Sequence, residues 1–440
     1  MGSSLKEFFL LKIILPIIDL TTGTKITYWL RQITVMNSMS GEQRKAWQTK
    51  KLQQFILHAY NNTPYYHQLF NQLSLKPEDI SSLEDLTKIP PIDKNIIREN
   101  YGALIPANIK KIPHKKGRTG GTTGMPLHYL YDEDTWGYIT AAKIYAWKTA
   151  GYKYGEKFVT IGSSSLFPTH KKSWKHIIYF FIRNGIPLNG MNISDEVAEN
   201  YVNLINKRKV KYIYGYAASI YLLTKYISDR KIKMPGIKGV FTTSEVLTPQ
   251  YRALMEKTYN CPVMDCYGAR DAGITAYEIS PGSYHVGYNA LAEIENPYAE
   301  NTGTLLVTNI LNYSFPLIRY RLGDDVCLAH THQAGYNGQL ISRVVGRTSE
   351  VMRLDNGHNL TSTGFSIMIR DFNVLAFKMT KVNGLKIRLE IQPKPEFSDN
   401  ECAYLLKTMK KHVGNEVEVE IIYVNSFEPL ENGKRQYFIT

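Results

Sequence analysis

The sequence predicts an α/β protein with a large N-terminal domain, in which mainly parallel, helix-covered sheets are joined to a β-rich subdomain, and a small C-terminal α+β domain. Three observations predict this arrangement. Strand-like runs alternate with helical stretches between residues 157 and 268, longer strands with tight turns begin at residue 284, and a small α+β pattern follows residues 344–357. A chain of 440 residues is too long for one ordinary hydrophobic core, so several domains are expected.

The composition is that of a folded globular chain, with 43% hydrophobic and 21% charged residues. Lysine and arginine number 53 against 39 acidic residues, which gives a formal net charge of +14. This excess favours anionic partners such as nucleotides, coenzymes or membrane lipid, without choosing among them. The basic residues are spread along the chain and no nucleic-acid-reading motif is present, so we expect no nucleic-acid partner.

The four cysteines are too few for a disulfide framework. Cys261 and Cys266 do not have the spacing of a zinc knuckle, and His285 is the only further ligand nearby. Buried free thiols in a reducing cytosol are therefore expected, which favours a cytoplasmic protein.

The apolar stretch FFLLKIILPIIDL, residues 8–20, is shorter than the about 20 residues that a membrane-spanning helix needs. No signal-peptide cleavage pattern follows it. The stretch predicts a helix that either packs on the body of the protein or lies in the plane of a membrane. The second interpretation, a peripheral contact at the inner face of the membrane, is favoured by nearby cations at Lys6, Lys12, Lys25 and Arg31.

The first hundred residues are expected to be mainly helical. Residues 42–70 predict an amphipathic helix that NNTP stops, and IPPIDK at residues 89–94 marks a turn into another short helix. The apolar face of the longer helix is expected to carry Leu52, Phe55, Ile56 and Ala59.

The middle of the chain alternates between strands and helices, which predicts a parallel sheet covered by helices. The expected strands are residues 157–162, 211–217, 237–244 and 262–268, and the expected helices are residues 173–185, 194–209, 218–231 and 248–260. Ligands of such sheets bind at the carboxyl ends of the strands. The segments TTSE (242–245) and YGARDAG (267–273) fall there.

Longer strands are expected in the β-rich part, at residues 303–310 and 316–329. A domain boundary is placed between about residues 343 and 351, where the composition changes. The expected domains are residues 1–345, with a helical segment at about 1–100, and residues 346–440. In the second of these, two strands are expected around the helix NECAYLLKTMKKHVG.

The segment KKGRTGGTTGMPLHYLYDED, residues 115–134, has little apolar surface and several glycines that are costly to order. Consecutive glycine and threonine residues can direct backbone N–H groups and hydroxyls at one anion, with Lys115, Lys116 and Arg118 adding positive charge. The segment matches neither the G-x-x-x-x-G-K-[ST] loop nor the dinucleotide G-x-G-x-x-G pattern. A phosphate-binding loop of another class and a plain surface hairpin both remain open.

Five motifs in order resemble those of the adenylate-forming superfamily of acyl-CoA synthetases, luciferases and peptide-synthetase adenylation domains. They are GRTGGTTGMP (117–126), YGARD (267–271), YRLGD (320–324), VVGRTSEVM (344–352) and PLENGKRQYFI (429–439). Outside the motifs, the segments LQQFILHAYNNTPYYHQLF, IPPIDK and PLIRYRLGD are similar to the phenylacetate–CoA ligase-like branch, which includes capsular polysaccharide biosynthesis proteins. The resemblance covers nearly the whole chain and implies an acyl-CoA synthetase-like fold.

The resemblance implies a two-step reaction with ATP and Mg²⁺. A small carboxylic acid would form an acyl-adenylate, and CoA or a sugar amine or hydroxyl would then displace AMP. Lys434, on a mobile C-terminal lid, would approach the reacting oxygens, and Arg270 and Asp271 would act beside it, with Asp271 carrying the metal. The implied nucleotide-binding residues are Thr119, Gly120, Gly121, Thr122, Thr123, Gly124, Ser244, Glu245, Tyr267, Gly268, Asp324 and Arg347.

Within that set, the loop would hold the β- and γ-phosphates, Tyr267 would lie against the adenine, and Asp324 would accept the ribose hydroxyls with help from Arg347. The alternative for Asp324 is an ordinary hairpin-turn aspartate. Asp271 is one methylene shorter than the superfamily's glutamate, and Glu278 is a candidate substitute. A non-catalytic homologue that binds nucleotide or acyl groups as an assembly or regulatory partner is the alternative function.

Overall fold

The computed structural model describes residues 3–119, 127–163, 166, 184–333, 336–345, 351–369, 372–427 and 438–439. The chain forms two compact units, each discontinuous in sequence. The first unit comprises Met1–Thr119, Leu127–Tyr154 and Met264–Gly346; the second comprises Gly120–Pro126, Gly155–Val263 and Arg347–Thr440. The predicted division into domains 1–345 and 346–440 stays a prediction.

Helices dominate the N-terminal part of the first unit. They are α1 (Ser3–Phe9), α2 (Leu15–Thr22), α3 (Ile26–Ser38), α4 (Gly41–Asn62), α5 (Pro64–Gln72), α6 (Lys94–Glu99) and α7 (Glu133–Thr149). A π-helical turn, Leu10–Ile14, joins α1 to α2, and 3₁₀ turns lie at Pro77–Asp79, Glu84–Lys88 and Ile109–Lys111. The predicted helix over residues 42–70 is two helices, because Thr63 leaves the helical conformation and Pro64 begins the second.

The first unit also contains a hairpin, β1 (His114–Arg118) with β2 (His128–Asp132), and an antiparallel sheet. The strands of that sheet are β7 (Val263–Ala269), β8 (Ile274–Ser280), β9 (Ser283–Val286), β10 (Ala290–Ala299), β11 (Thr302–Asn309), β12 (Tyr320–Gln333) and β13 (Tyr336–Val345). Their spatial order is β10-β11-β12-β13-β9-β8-β7. This is the β-rich part that the sequence predicts.

The second unit contains the predicted parallel sheet, in the order β4-β3-β5-β6. Its strands are β3 (Phe158–Gly162), β4 (Gly185–Asn189), β5 (Tyr212–Tyr216) and β6 (Gly239–Thr243), and its helices are α8 (Asp195–Arg208), α9 (Ala217–Asp229) and α10 (Pro249–Tyr259). The α/β class is therefore confirmed. The expected helix over residues 173–185 lies outside the described residues.

The C-terminal part of the second unit is the expected α+β unit. Its elements are β14 (Val351–Arg353), β15 (Asn359–Thr361), α11 (Ser362–Ile369), β16 (Val374–Asn383), β17 (Lys386–Pro393), α12 (Asp399–Val413), β18 (Glu418–Tyr423) and β19 (Phe438–Ile439). A four-stranded sheet has the order β18-β17-β16-β19, and β14 pairs with β15. The aliphatic and aromatic faces of these elements form a core of their own around Met379, Leu389 and Leu405.

Short polar side chains begin the longer helices. Ser40 and Gln43 form a reciprocal capping box at α4, and the side chains of Asp132, Ser194 and Thr248 accept backbone N–H groups at the starts of α7, α8 and α10. These caps satisfy donors that have no partner within a helix. The predicted apolar face of α4 is fully buried in the core of the first unit.

Candidate functional site

The glycine-rich segment begins where the pairing of β1 with β2 ends. β1 and β2 pair antiparallel from His114 opposite Asp132 to Arg118 opposite His128. Beyond this last pair, the Thr119 N–H donates to the carbonyl of Leu127 across 3.0 Å, and the Leu127 N–H donates to the Thr119 hydroxyl oxygen across 2.9 Å. Thr119 therefore closes the base of the loop, and its hydroxyl can still donate a hydrogen bond. The predicted phosphate-binding residues Gly120, Gly121, Thr122, Thr123 and Gly124 lie outside the described residues.

Two residues predicted to bind the nucleoside lie in contact in the first unit. The Tyr267 hydroxyl, near the end of β7, donates to Oδ2 of Asp324 across 3.0 Å. Burial and the neighbouring Asp324 carboxylate raise the pKa of Tyr267 well above its ordinary value, so the hydroxyl keeps its proton and remains a donor. Gly268, the next residue, is exposed.

Asp324 lies in a bulge of β12, not in a hairpin turn. In the register of β11 with β12, Thr304 is opposite Asp325 and Leu306 is opposite Arg321, so extra residues of β12 protrude between these pairs. Gly323 takes up the bulge with a φ of 86°, a left-handed conformation that glycine adopts without steric cost. Bulges redirect side chains and are frequent beside active sites. The hairpin-turn interpretation of Asp324 is therefore wrong.

A second tyrosine–aspartate pair joins the same two segments with the roles exchanged. The Tyr320 hydroxyl, at the start of β12, donates to Oδ2 of Asp271 across 2.8 Å. Asp271 is 9% exposed and Tyr320 is fully buried. Burial and the adjacent Asp271 carboxylate also raise the pKa of Tyr320. The two pairs hold both carboxylates in fixed positions, because each one accepts a hydrogen bond from a rigid aromatic side chain.

The side chain of Arg270 has a different environment from that of its neighbour Asp271. Its side chain is exposed, and its guanidinium carbon lies 6.0 Å from the ring centroid of Trp136. Arg270 also opposes the effect of burial on the pKa of Tyr131, which burial raises. The cation is thus placed beside an aromatic surface, where a ring quadrupole attracts it.

Asp271 can contribute to a magnesium site, whereas both oxygens of the candidate substitute Glu278 already accept backbone N–H groups. Magnesium bound with a nucleotide needs only one or two carboxylates, since phosphates and water complete its shell. One oxygen of Asp271 is oriented by Tyr320. Glu278 is 3% exposed, and its two oxygens accept the backbone N–H groups of Asp265 and Gly282. Within the described residues, no group of three or more histidine, cysteine or acidic side chains forms a metal centre.

Ser244 and Glu245 belong to the second unit and follow β6. Ser244 is exposed and has a φ of 69°, which is uncommon for a residue other than glycine and is frequent at functional positions. Glu245 is 9% exposed, and its Oε2 accepts the Ala218 N–H across 2.7 Å at the start of α9. This carboxylate therefore caps a helix whose N-cap residue, Tyr216, makes no side-chain capping bond.

Two predicted residues of the hinge and lid, Arg347 and Lys434, lie outside the described residues. Sequence reasoning missed Tyr320, although it opens the same YRLGD segment that carries Asp324. A tyrosine four residues before a predicted ligand was the available signal. Its partner, 49 residues earlier in the chain, could not be known without the fold.

The two cysteines predicted to be buried free thiols are partly buried in the structure. Cys261 and Cys266 are free and half-buried, and burial raises their pKa to about 12 and about 11, so both stay protonated thiols. Protonated thiols are poor metal ligands.

Among the described helices, none has the length and apolar character needed to cross a membrane.

Comparison with curated proteins gives relatives that match over most of this chain and most of their own length. The chain is 24% identical over 405 residues to protein CapK of Staphylococcus aureus, covering 89% of this chain and 88% of the relative. It is 25% identical over 439 residues to the phenylacetate–coenzyme A ligase of Aromatoleum evansii, covering 90% and 94%. No family model matches the chain.

Comparison with solved structures gives the same fold. A crystal structure of 2-hydroxyisobutyryl-CoA ligase, in complex with 2-HIB-AMP and CoA in the thioesterification state, matches with a TM-score of 0.59 and 17% identity, covering 91% of each chain. A postadenylation structure of that ligase matches with a TM-score of 0.57 over 91% of this chain and 90% of the other. At this identity the likeness establishes the fold.

Fold, motifs and relatives together define an adenylate-forming ligase of the acyl-CoA synthetase type. Within that superfamily, the relatives that the chain resembles over most of its length are of the phenylacetate–CoA ligase-like branch, whose motifs its five ordered motifs also resemble.

Proposed function

We propose that this protein uses ATP to activate a small carboxylic acid as an acyl-adenylate and then transfers the acyl group to an acceptor. The observation that carries the proposal is the hydrogen bond between Tyr267 and Asp324, since it joins two of the five motifs at one place. A ring beside a fixed carboxylate suits a nucleoside: the aromatic face stacks on a base, and the carboxylate accepts ribose hydroxyls.

In the first step, a carboxylate oxygen of the acid attacks the α-phosphorus of ATP, and pyrophosphate leaves. The glycine-rich loop 118–124 would surround the β- and γ-phosphates with N–H donors and hydroxyls, because negative charge moves onto the leaving group. Lys434 would approach the carboxylate and α-phosphate oxygens, with Arg347 assisting at the ribose. Asp271 would hold Mg²⁺, which neutralises phosphate charge when bound.

In the second step, the acceptor attacks the acyl carbonyl, the bond to phosphate breaks, and AMP leaves. CoA is the proposed acceptor, supported by the named relatives and structural neighbours, and a sugar amine or hydroxyl is the alternative, supported by the similarity to CapK. The second acceptor class would place the enzyme in capsular or extracellular polysaccharide synthesis.

The acid is proposed to be of modest size. Hydroxyl and aromatic side chains lie at or just after the ends of parallel strands in the second unit. There Ser163 and Tyr216 share a 2.7 Å hydrogen bond, and Ser219 donates to the carbonyl of Gly190. Gly190 and Gly215 are packed so closely that a β-carbon would collide with backbone atoms of β3. Such a crowded strand end favours a small carboxylate, of aryl or amino type, over a long acyl chain.

The test is ATP–pyrophosphate exchange with a panel of small carboxylic acids, followed by mass spectrometry of products formed with CoA. Exchange with at least one acid is expected, since exchange requires reversible adenylate formation. Binding of ATP without exchange for any acid in the panel would instead support the non-catalytic nucleotide- or acyl-binding homologue.

We further infer a cytoplasmic location with peripheral contact to the inner face of the membrane through residues 8–20. The protonated free thiols are compatible with a reducing compartment. The contact is supported by the exposure of apolar side chains along the N-terminal helices.

A further inference from the structure

The N-terminal helical segment, residues 3–22, exposes a row of large apolar side chains. Leu20 is 86% exposed, the largest exposure among the large hydrophobic residues described. The full row, here called the apolar row, consists of Leu5, Phe8, Phe9, Ile13, Ile17 and Leu20. Single exposed apolar residues are ordinary, whereas a contiguous set marks an interaction surface.

A π-helical turn keeps the row on one side. Four of its members, Leu5, Phe9, Ile13 and Ile17, recur every four residues, and in a straight α-helix each such step would rotate the side chain by roughly 40° around the axis. The turn at Leu10–Ile14 has a wider period, with the Leu15 N–H donating to the carbonyl of Leu10. This local change offsets the drift, because four residues of a π-helix complete less than one turn.

The opposite side of the segment is fixed to the first unit. Leu10 and Leu15 are buried, at 8% and 2% exposure. Glu7 accepts the Tyr154 N–H across 3.3 Å and lies 3.7 Å from the Lys148 ammonium. Asp19 accepts the N–H groups of Ile26 and Thr27 at the start of α3. Burial of this side leaves the apolar row facing outward.

Charge on the segment is divided in the same way. Its two acidic residues, Glu7 and Asp19, are engaged in the contacts with the first unit. Its two lysines, Lys6 and Lys12, are exposed. On α3, the exposed side chains of Tyr28, Arg31 and Val35 recur at helical spacing and repeat this combination of apolar and cationic groups.

We propose that the apolar row inserts in the plane of an anionic lipid bilayer, with Lys6, Lys12 and Arg31 contacting lipid headgroups. The inference rests on the peripheral location proposed above and names the surface and the lipid charge. A helix that lies in the plane of a membrane has one apolar side and cations at its edge, and it does not have to be long enough to span the bilayer. The N-terminal segment meets these three conditions.

Charge complementarity distinguishes lipid from a second copy of the chain. Two copies joined through the apolar row would bring Lys6 and Lys12 close to their counterparts, on molecules that each carry a net charge of +14. An anionic surface attracts those same groups. The docking partner is therefore a lipid surface with negative headgroups.

The experiment is sedimentation of the full chain with phosphatidylcholine vesicles that contain or lack phosphatidylglycerol. The test variant is Phe8→Ser/Ile17→Ser/Leu20→Ser, and the matched control Leu57→Ser/Leu73→Ser/Val382→Ser changes exposed apolar residues elsewhere. We expect the parent and the control to pellet with the anionic vesicles, and the test variant to bind them ~10-fold or more weakly. Lys6→Glu/Lys12→Glu is expected to weaken binding most at low salt.

Failure of the parent to pellet with anionic vesicles would overturn the proposal, as would equal binding by the test variant. A parent dimer that dissociates in the test variant, with no vesicle binding, would also overturn it in favour of a second copy. Circular dichroism checks the folding of each variant. Pyrophosphate exchange measured without vesicles tests the enzymatic proposal separately, because that reaction needs no membrane.

Discussion

The hydroxyl of Tyr320 donates a 2.8 Å hydrogen bond to Oδ2 of Asp271, and the hydroxyl of Tyr267 donates a 3.0 Å hydrogen bond to Oδ2 of Asp324. Each pair joins the segment around the end of β7 to the segment around the start of β12, in opposite directions. Four residues from two motifs are thereby held in one frame. Rigid support of this kind is what an orienting carboxylate needs, because small displacements at a reacting centre are costly.

Loss of the Tyr320 hydroxyl should impair the use of magnesium. Tyr320→Phe keeps the ring but removes a hydrogen bond to a charged group, worth about 1.5–3 kcal/mol. We expect a ~10-fold or larger fall in the rate of pyrophosphate exchange and a higher magnesium concentration for half-maximal rate. A magnesium titration measures both. Tyr288→Phe, which loses a 2.6 Å hydrogen bond to Asn37, is the matched control. An equal fall in exchange rate in Tyr288→Phe would show that the orientation of Asp271 is not the cause.

Removal of the Asp324 carboxylate should weaken ATP binding. Asp324→Ala loses the acceptor for the ribose hydroxyls, and each charge-assisted hydrogen bond is worth about 1.5–3 kcal/mol. We therefore expect at least a ~10-fold higher Kd for ATP by calorimetry. Asp325→Ala, one residue along the strand, serves as the control because Asp325 bonds to Thr304 instead. Unchanged ATP affinity in Asp324→Ala would contradict the ribose assignment.

Lys434→Ala should lower adenylate formation by ~100-fold or more, because the ammonium stabilises charge that develops on the reacting oxygens. The chain should stay folded, because lysine side chains are seldom part of a hydrophobic core. Exchange assays with Arg435→Ala as a neighbouring control separate a specific role from general loss of positive charge. A Lys434→Ala rate within about threefold of the parent would be incompatible with the role.

Restriction of the backbone at Ser349 should separate the two half-reactions. The reaction needs different groups at one place in its two steps, so the small C-terminal domain is expected to rotate about a hinge at or near this residue. Ser349→Pro fixes φ and should permit adenylation while blocking transfer to the acceptor. Single-turnover measurements of adenylation and of transfer to the acceptor test this expectation. Parental rates in both steps would show that no rotation occurs at this residue.

The stability of the first unit should fall in mild acid through His285. Burial, with a contribution from the neighbouring cation Arg44, lowers the pKa of His285 to about 3. The ring is enclosed by Tyr277 and Tyr288, 5.5 and 5.0 Å away between centroids. Because the unfolded chain binds a proton near pH 6.5 and the folded chain does not, stability is present at neutral pH and is lost as the pH falls below 6.5.

Between pH 7 and pH 5 this single group should cost about 2 kcal/mol of unfolding free energy. Denaturant titrations at several pH values measure the loss. His285→Phe should flatten the profile in that window, whereas a substitution of the exposed His67 to Gln should leave it unchanged. An unaltered profile in His285→Phe would assign the acid sensitivity to other groups.

Much of the secondary structure could be predicted because its signals are local. The parallel strands β3, β5 and β6 and the helices α8 and α10 fall within the expected segments, and α9 begins one residue before its expected segment. These elements could be predicted because runs of buried residues and short polar caps are visible in the chain itself. β4 was missed because it contains Pro187, which weakens a strand pattern. β4 pairs only with β3 among the described strands and lies at the edge of the parallel sheet, where proline is tolerated.

The sequence by itself determined the order of the motifs, the alternation of strands and helices, and the identity of Tyr267, Asp271 and Asp324 as candidate site residues. Only the tertiary structure decided which of them meet. Tyr267 and Asp324 are 57 residues apart, and their contact depends on a bulge created by the register of β11 with β12. Register is fixed by the joint burial of many strands, and no local pattern of residues encodes it.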